Sequence, residues 1–315
     1  MSELYFFNEV KYLELEAQRI GGNPLSFELS NGSCVNLIAR PIPGADLKDG
    51  VSVYGYPDID ARTPHRLQVN LRAQLDEMEA LYQDHGVIAA YHRLGLYQDI
   101  GGSWKTDHAA SSQVGEAIVV DLTMDWEEML MSFRPRLRSQ LRNDPPLTLE
   151  YSDDVAMFHK MYIENMERVG ASAAYLFTKE YLRKVCDMEG AKLIIASDHE
   201  GPVSGAITVI HGSDIYYHLG ATSDRGLPHS PLRQVLSWIC RVHAGGLHRA
   251  LVLGGGLGGI SDELLRFKRG FSKRSVPVFG FKFVADAQAF WNLSGRRPED
   301  AFDELFFPPY RKTSG

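Results

Sequence analysis

The order of the secondary-structure signals after residue 147 restricts the possible folds of this chain more than any other feature. A short strand at 147–151 follows a Pro-Pro pair, and amphipathic stretches near 153–169 and 178–189 predict two helices. Three apolar segments separated by turn residues then predict an antiparallel meander. These strands span residues 191–197, 202–211 and 214–220.

Helices and strands alternate over the rest of the chain. Helices are predicted at 231–244, at 260–269 and from Asp286 onward, and strands at 249–253 and 276–283. A meander that continues as alternating strands and helices requires both antiparallel and parallel neighbours. The sequence therefore predicts an α/β fold with a mixed sheet, and no repeat of about 20–50 residues appears.

The first part of the chain carries a thinner version of the same pattern. Its strands are predicted at 25–29, 34–40, 87–93 and 117–122. Asn31-Gly32 is typical of a tight hairpin turn between the first two strands, and a long amphipathic helix begins at Thr63. We predict two domains, 1–123 and 124–315, of which the first is a degenerate copy of the second.

The composition is that of a globular protein that can build its cores without cross-links. Of 315 residues, 44% are hydrophobic and 23% are charged, and the three cysteines lie far apart without a CxxC pair. We therefore expect neither disulfides nor a metal site. Charged residues interrupt the apolar N-terminal segment, so we expect no signal peptide, no membrane association and a cytoplasmic location. The net charge of −7 argues against a broad nucleic-acid surface but leaves room for a local basic groove.

A glycine cluster, LGGGLGG, begins at the end of the strand predicted at 249–253. Its spacing satisfies the GxGxxG pattern of dinucleotide-binding folds, but too little chain follows for the second βα unit that such a fold needs. Two interpretations remain: close packing of strand on helix, or a backbone that approaches a ligand and binds an oxyanion or phosphate through its amides. We assign the second role to Gly254, Gly255, Gly256 and Gly258.

Three segments carry a resemblance to a known family: Tyr216–Ser223 (YYHLGATS), Leu253–Gly259 and Leu265–Ser272 (LRFKRGFS). Weaker echoes lie at Tyr54–Pro57, Arg134–Arg142 and Met161–Arg168. Together these segments make the chain similar to the Fem family of the GNAT acyltransferase superfamily. The resemblance implies two GNAT-like domains, the N-terminal one degenerate. It also implies an enzyme that moves an amino acid from aminoacyl-tRNA onto an amine, typically of a peptidoglycan precursor.

The resemblance further implies roles for particular residues. In Fem proteins a Phe-Lys pair lies beside the reacting ester, and its lysine stabilises charge near the tRNA end. The matching residues are Phe267 and Lys268. A family tyrosine on the third meander strand corresponds to Tyr216 or Tyr217. Considered without the family, Lys268 belongs to a basic run that is typical of a solvated surface.

Further candidates come from strand alternation and helix ends. Alternation places Tyr216, His218 and Gly220 on the face that would line a cleft and Tyr217 towards the core. On the cleft face, His218 is a candidate general base. A structural, hydrogen-bonded histidine is the alternative. Asp262 either holds the ammonium of an acceptor or complements the N-terminus of its helix. Substrate-binding roles are assigned to Tyr54, Tyr56, Tyr217 and Asp262.

Two features of the sequence indicate which acyl donor the protein uses. Acetyl-CoA-dependent GNAT enzymes carry a Q/R-x-x-G-x-G/A loop whose amides bind the pyrophosphate of CoA. The corresponding residues 224–231, DRGLPHSP, contain one glycine and two prolines that supply no amide donor, which favours another donor. Arg225 is the loop residue assigned to donor binding. A helix predicted at 125–142 carries four arginines, which either contact phosphates of a tRNA acceptor end or form a solvated face.

Three functions remain open. The first is transfer of an aminoacyl group from aminoacyl-tRNA to an amine of a peptide, a cell-wall precursor or a natural product. The second is acyl-CoA-dependent N-acetylation, and the third is a non-catalytic binding module on the same fold. The lack of a GxSxG motif and of a reactive cysteine context favours direct attack by the amine. We expect no tightly bound cofactor, only aminoacyl-tRNA or acyl-CoA as co-substrate.

Overall fold

The computed structural model describes residues 5–61, 71–98, 101–256, 262–304 and 306–312. Thr63, where a helix was predicted to begin, and Gly258 and Gly259 of the glycine cluster lie outside these residues.

The chain divides into two compact units that are discontinuous in sequence. The central unit comprises residues 1–6 and 116–276, and the terminal unit comprises 7–115 and 277–315. The sequence placed a single boundary at residue 123, which assigned residues 277–315 to the C-terminal domain. The structure groups these last residues with the N-terminal part instead.

Ten α-helices lie within the described residues: α1 (Val10–Ile20), α2 (Leu75–Asp84), α3 (Trp126–Ser132), α4 (Pro135–Asn143), α5 (Val155–Arg168), α6 (Lys179–Cys186), α7 (Leu232–His243), α8 (Glu263–Lys268), α9 (Ala287–Ser294) and α10 (Pro298–Ala301). The strands of this part of the chain are β1 (Asn23–Glu28), β2 (Cys34–Pro41), β3 (Lys48–Val51), β4 (Val87–Arg93), β5 (Trp104–Lys105), β6 (Ala109–Asp121), β7 (Thr148–Tyr151), β8 (Ala191–Asp198), β9 (Gly201–His211), β10 (Asp214–Thr222), β11 (Ala250–Gly254) and β12 (Ser275–Val284).

In the terminal unit the strand order is β1-β2-β3-β4-β12. The hairpin β1–β2 turns near Gly32, whose φ of +82° suits glycine at a tight turn. Strand β12 pairs antiparallel with β4, and its Phe281 and Phe283 are buried in one core with Phe27 and Tyr82. This packing explains why the C-terminal residues belong to the terminal unit. A pattern along the sequence cannot show which distant strand β12 pairs with.

A buried ion pair holds β2 and β3 of this unit to its C-terminal segment. Arg40 and Asp49 are direct cross-strand partners, and Arg40 Nε donates to Asp49 Oδ1 at 2.8 Å. The Nε of Arg311 donates to the other oxygen, Oδ2, at 2.6 Å. Asp49 has no solvent exposure, so both of its carboxylate oxygens depend on these guanidinium groups.

His92 on β4 should make the stability of the terminal unit sensitive to acid. Burial lowers the pKa of His92 from 6.5 to about 4, and its Nε2 lies 3.0 Å from the hydroxyl of Tyr82. Below pH 6.5 the unfolded chain therefore binds a proton that the folded chain does not. We expect this contribution to be intact above pH 6.5 and to be lost between pH 6.5 and 4, by about 1.4 kcal/mol per pH unit.

Urea unfolding between pH 7 and 4 measures this effect, with His92→Gln as the comparison. Glutamine can keep the hydrogen bond to Tyr82 but does not titrate. The stability of the variant should fall less steeply with acid than that of the wild type. Parallel curves for the two proteins would contradict the assignment to His92.

In the central unit the strand order is β6-β11-β10-β9-β8-β7. Strands β8, β9 and β10 form the predicted antiparallel meander, and β11 pairs parallel with β10. One core cluster joins β10 and β11 to helices α3, α4, α7 and α8, and includes Ile215, Leu251, Val235 and Leu265. These neighbours confirm the predicted α/β fold with a mixed sheet.

The single helix predicted at 125–142 is two helices. Helix α3 ends at Ser132, Phe133 is extended with ψ 151°, and α4 begins with Pro135 in its first turn. Proline disfavours helical geometry in the preceding residue, which explains the break at Arg134. Among the described residues, no helix has the length and apolar character needed to cross a lipid bilayer.

Candidate active site

The candidate site lies in the central unit where β10 and β11 part. The two strands pair in parallel over Asp214–Tyr216 and Ala250–Val252, whereas β10 continues to Thr222. Strand β11 ends at Gly254, whose φ is +76°. The second half of β10 therefore lies beside the turn that leads from β11 towards α8, and ligand sites in α/β sheets favour such strand ends.

Close packing fixes the first glycines of the cluster. A Cβ atom on Gly255 would lie 2.4 Å from the carbonyl oxygen of Glu116, which is a backbone atom that cannot move aside cheaply. Gly255 is thus needed for the approach of two strands, and its own carbonyl oxygen points to Lys268. This close approach matches the packing interpretation of the cluster at Gly255, and the ligand interpretation stays a prediction.

Lys268 is buried at the end of α8. The helix begins at Asp262, whose Oδ1 accepts from the backbone N–H of Leu265 at 2.8 Å. Six residues later the side chain of Lys268 is only 6% exposed, and its Nζ donates to the Gly255 carbonyl oxygen at 2.7 Å. The Nζ also lies 5.9 Å from the centre of the Tyr217 ring. Lys268 is therefore not a solvated member of the basic run, unlike the exposed Arg266.

The residues on either side hold Lys268 in place. Phe267 packs against the core, with its ring 5.7 Å from that of Phe271 in an edge-to-face arrangement. Arg269 forms an ion pair with Glu116, the residue whose carbonyl abuts Gly255. Lys268 thus projects from a helix end that is anchored on both sides.

The two tyrosines of β10 have different surroundings. Tyr216 is 1% exposed and lies edge-on to His211, with ring centres 5.8 Å apart. Tyr217 is partly buried, and its hydroxyl lies so close to Gly220 that a Cβ there would be 1.8 Å from it. The Tyr217 ring is the one that faces the Lys268 ammonium at 5.9 Å. Strand alternation predicted that Tyr217 faces the core, and Tyr217 does pack there against residues of α8. Lys268 lies on this face too, and not on the face that was predicted to line the cleft.

His218 and Asp262 are engaged in structural contacts. His218 lies at the irregularity in the β9–β10 register and is buried, with its ring 6.1 Å from that of Phe6. The carboxylate of Asp262 caps α8. These contacts match the structural interpretations of both residues.

The loop that corresponds to a CoA-binding loop uses its backbone amides internally. The N–H groups of Gly226 and Leu227 donate to the Ser223 carbonyl at 3.0 and 3.1 Å. Those of His229 and Ser230 donate to Gly226 and Leu227, each at 3.1 Å. A phosphate cradle needs free amides that converge on the ligand, and these four are already committed to backbone acceptors.

The other predicted residues have contacts of their own. The guanidinium group of Arg225 pairs with Asp198 and Glu200 and also donates to the Gly201 carbonyl, so its donors already have protein partners. Tyr54 and Tyr56 belong to the terminal unit. The backbone N–H of Tyr54 donates to Glu16 at 2.9 Å, and the Arg93 guanidinium lies 4.4 Å from the centre of the Tyr56 ring.

Sequence reasoning missed one residue that shapes the site, Glu116, and placed another, Gly220, on the strand face of Tyr216 and His218. Gly220 leaves room for the Tyr217 hydroxyl, and Glu116 both abuts Gly255 and pairs with Arg269. Gly220 stands inside a strand, where glycine often marks a close approach, so a signal for it was present. Nothing local marks Glu116, because its partners are more than a hundred residues away in sequence.

Comparison with known proteins places the chain by its fold. No protein-family model and no curated protein matches the sequence. Among solved structures, FemX is similar over 91% of this chain and 94% of its own, with a TM-score of 0.65 and 14% identity. A conserved protein of unknown function from Bacteroides thetaiotaomicron matches 87% of this chain and 92% of its own, with a TM-score of 0.55 and 8% identity.

A third similar structure is the C-terminal domain of a protein from Agrobacterium fabrum assigned as a lysylphosphatidylglycerol synthetase. It matches 85% of this chain and 91% of its own, with a TM-score of 0.50 and 13% identity. At such identities the likeness concerns the fold alone. The resemblance to the Fem family is confirmed at the level of the fold: this chain has the fold of FemX.

Proposed function

We propose that the central unit is an acyltransferase that forms an amide bond by moving an aminoacyl group from aminoacyl-tRNA to an amine. The observation that carries this proposal is the buried ammonium of Lys268 between the Gly255 carbonyl and Tyr217, at the point where β10 and β11 part. A cation fixed in a water-poor site stabilises developing negative charge far better than a solvated one.

The reaction is a direct attack. The acceptor nitrogen forms a bond to the ester carbonyl carbon, and the charge that develops on the carbonyl oxygen faces Lys268. The tetrahedral intermediate then collapses, the bond to the ribose oxygen breaks, and the proton lost by the amine passes to that leaving oxygen. Lys268 can neutralise either the oxyanion or the adjacent phosphate, and the Tyr217 hydroxyl is a donor on the same face.

The loop at 223–230 favours aminoacyl-tRNA over acyl-CoA as the donor. Four of its amides bind backbone acceptors within the loop, so they are not available for a pyrophosphate. The Arg225 guanidinium is occupied by Asp198 and Glu200. An acyl-CoA donor would have to break these contacts, whereas an aminoacylated ribose needs only the ester and its nearest phosphate to enter.

Donor binding can be tested without knowing the acceptor. An RNA minihelix carrying a non-hydrolysable 3′-aminoacyl amide should bind the full chain and raise its melting temperature, as linkage requires. Acetyl-CoA and longer acyl-CoA esters should leave the melting temperature unchanged. A shift with an acyl-CoA and none with the minihelix would replace this proposal by an acyl-CoA-dependent N-acetyltransferase. Binding of neither donor would favour a non-catalytic module.

Tyr217→Phe should slow aminoacyl transfer by about tenfold or more, because it removes the hydroxyl but keeps the ring beside Lys268. The adjacent Tyr216→Phe is the matched control, since Tyr216 packs against His211. Single-turnover rates with saturating enzyme would compare them. A larger loss for Tyr216→Phe than for Tyr217→Phe would contradict the assignment of Tyr217.

A further inference from the structure

A groove separate from the Lys268 site opens on the helical side of the central unit. Its volume is about 410 Å³, which lies within the range of small-molecule pockets. Its apolar wall is formed by α3, α4, β7 and α7 through Trp126, Leu130, Met131, Leu141, Leu149 and Trp238. Neither Lys268, Tyr217 nor Gly255 lines it.

Part of this wall is exposed to solvent, since Met131 is 67% exposed. Tyr151 does not line the groove, but it packs edge-on against the lining residue Trp238, with ring centres 5.2 Å apart, and is 48% exposed. Large apolar side chains that stand together at a concave surface are typical of ligand-binding sites. Covering them with an apolar chain would remove this area from water.

Three arginines give the groove a positive charge. Arg138 and Arg142 lie one turn apart on α4, and Arg241 lies on α7. No aspartate or glutamate lines the groove, and none of these arginines has a carboxylate partner within 4.0 Å among residues 101–256 and the other described segments. Arg233 on the same helix α7 differs, because it is paired with Asp144.

This local charge stands against the composition of the chain. The protein has 40 acidic and 33 basic residues and a net charge of −7. A groove lined by three arginines and no carboxylate is therefore more positive than the chain as a whole. Arginine is suited to bind phosphate because its planar fork donates two parallel hydrogen bonds. The groove therefore combines an apolar wall with an anion-binding rim.

We propose that this groove binds a single-chain amphiphile with a phosphate head group. The alkyl chain lies along the tryptophan and leucine wall, and the phosphate is held by Arg138, Arg142 and Arg241. The volume suits one alkyl chain, and four of the six apolar lining residues are aliphatic rather than flat aromatic platforms. A single-stranded nucleic acid would instead call for stacking surfaces along an extended track.

Isothermal titration of the full chain tests the proposal with four probes. They are dodecyl phosphate below its micelle concentration, dodecyl maltoside with the same chain but no charge, inorganic phosphate with the head alone, and a short single-stranded RNA. Dodecyl phosphate should bind at one site and more tightly than dodecyl maltoside or inorganic phosphate, and the RNA should not compete with it. Equal affinity for dodecyl maltoside, equal affinity for inorganic phosphate, or binding of the RNA in place of dodecyl phosphate would each overturn the proposal.

Substitutions in the groove test whether dodecyl phosphate binds there. Arg138→Gln and Arg241→Gln should each weaken dodecyl phosphate binding about tenfold, in line with loss of a charged hydrogen bond. Leu141→Gln should also weaken dodecyl phosphate binding, because it removes an apolar contact with the alkyl chain. Arg136→Gln is the matched control, because Arg136 lies on the same helix but does not line the groove. Unchanged affinity in both groove variants, or an equal loss in the control, would overturn the assignment. Circular dichroism confirms that each variant is folded.

Discussion

Lys268→Met is expected to reduce the rate of aminoacyl transfer about a hundredfold while the protein stays folded. Methionine nearly matches the length of the lysine side chain and can remain buried, but it carries neither the charge nor the hydrogen bond to the Gly255 carbonyl. Removing one preorganised group that stabilises an oxyanion costs about two to three orders of magnitude in rate. Rates from single-turnover transfer at saturating enzyme measure the loss.

Arg266→Met provides the control for this effect. Arg266 lies two residues earlier on α8 but is exposed, whereas Lys268 is buried. The same substitution there removes a positive charge without touching the site and should leave the transfer rate close to that of the wild type. Equal rates for Lys268→Met and Arg266→Met would remove Lys268 from the reaction.

Asp49→Asn should produce the largest loss of stability among single substitutions in the terminal unit. Asp49 is fully buried and accepts from both Arg40 and Arg311, so the neutral amide leaves two guanidinium groups without a counter-charge. Breaking a buried ion pair by removing one partner costs about 3–5 kcal/mol. Urea unfolding at neutral pH measures the change.

Asp303→Asn is the matched comparison, because Asp303 also pairs with a basic side chain, that of Lys105, but on the surface. The two side chains of that pair are 76% and 43% exposed. Solvent screening limits such a pair to less than about 1 kcal/mol. A loss for Asp49→Asn as small as that for Asp303→Asn would show that the buried pair contributes little.

Most of the central unit could be predicted from local pattern. The meander strands, the strand at 249–253 and the helices around them appear within a few residues of their predicted positions. This succeeds because apolar periodicity and turn residues are local properties. The break at Pro135 was not predicted, because the charged pattern of 125–142 resembles one continuous helix. The proline itself was a signal for the break, since proline rarely continues a helix.

The terminal unit was harder to predict because its organisation depends on distant pairing. Helix α1 and strand β3 were not predicted, and the pairing of β12 with β4 joins residues almost two hundred positions apart. Strand β3 is only four residues long and includes Lys48, Asp49 and Gly50, which are poor strand formers in isolation. Its partners β2 and β4 decide its conformation.

In the candidate site, too, some residues could be predicted from local sequence and others depended on the three-dimensional structure. The segment LRFKRGFS indicated Lys268 and Phe267 from sequence, and the structure buries the ammonium of Lys268. The choice between Tyr216 and Tyr217 could not be made, because alternation shows which side chains share a face but not which face meets α8. The internal bonding of the loop at 224–231 was likewise visible only in three dimensions, although its two prolines indicated a poor phosphate cradle.

A competition between two labelled donors tests the central claim most directly. The protein is given aminoacyl-tRNA charged with a ¹³C-labelled amino acid, deuterated acetyl-CoA and a panel of peptide and small amines, and the products are identified by mass spectrometry. The proposed function predicts amides that carry the ¹³C-labelled aminoacyl group, with their formation abolished by RNase and strongly reduced in Lys268→Met. Deuterated acetyl amides that form regardless of RNase treatment would contradict it.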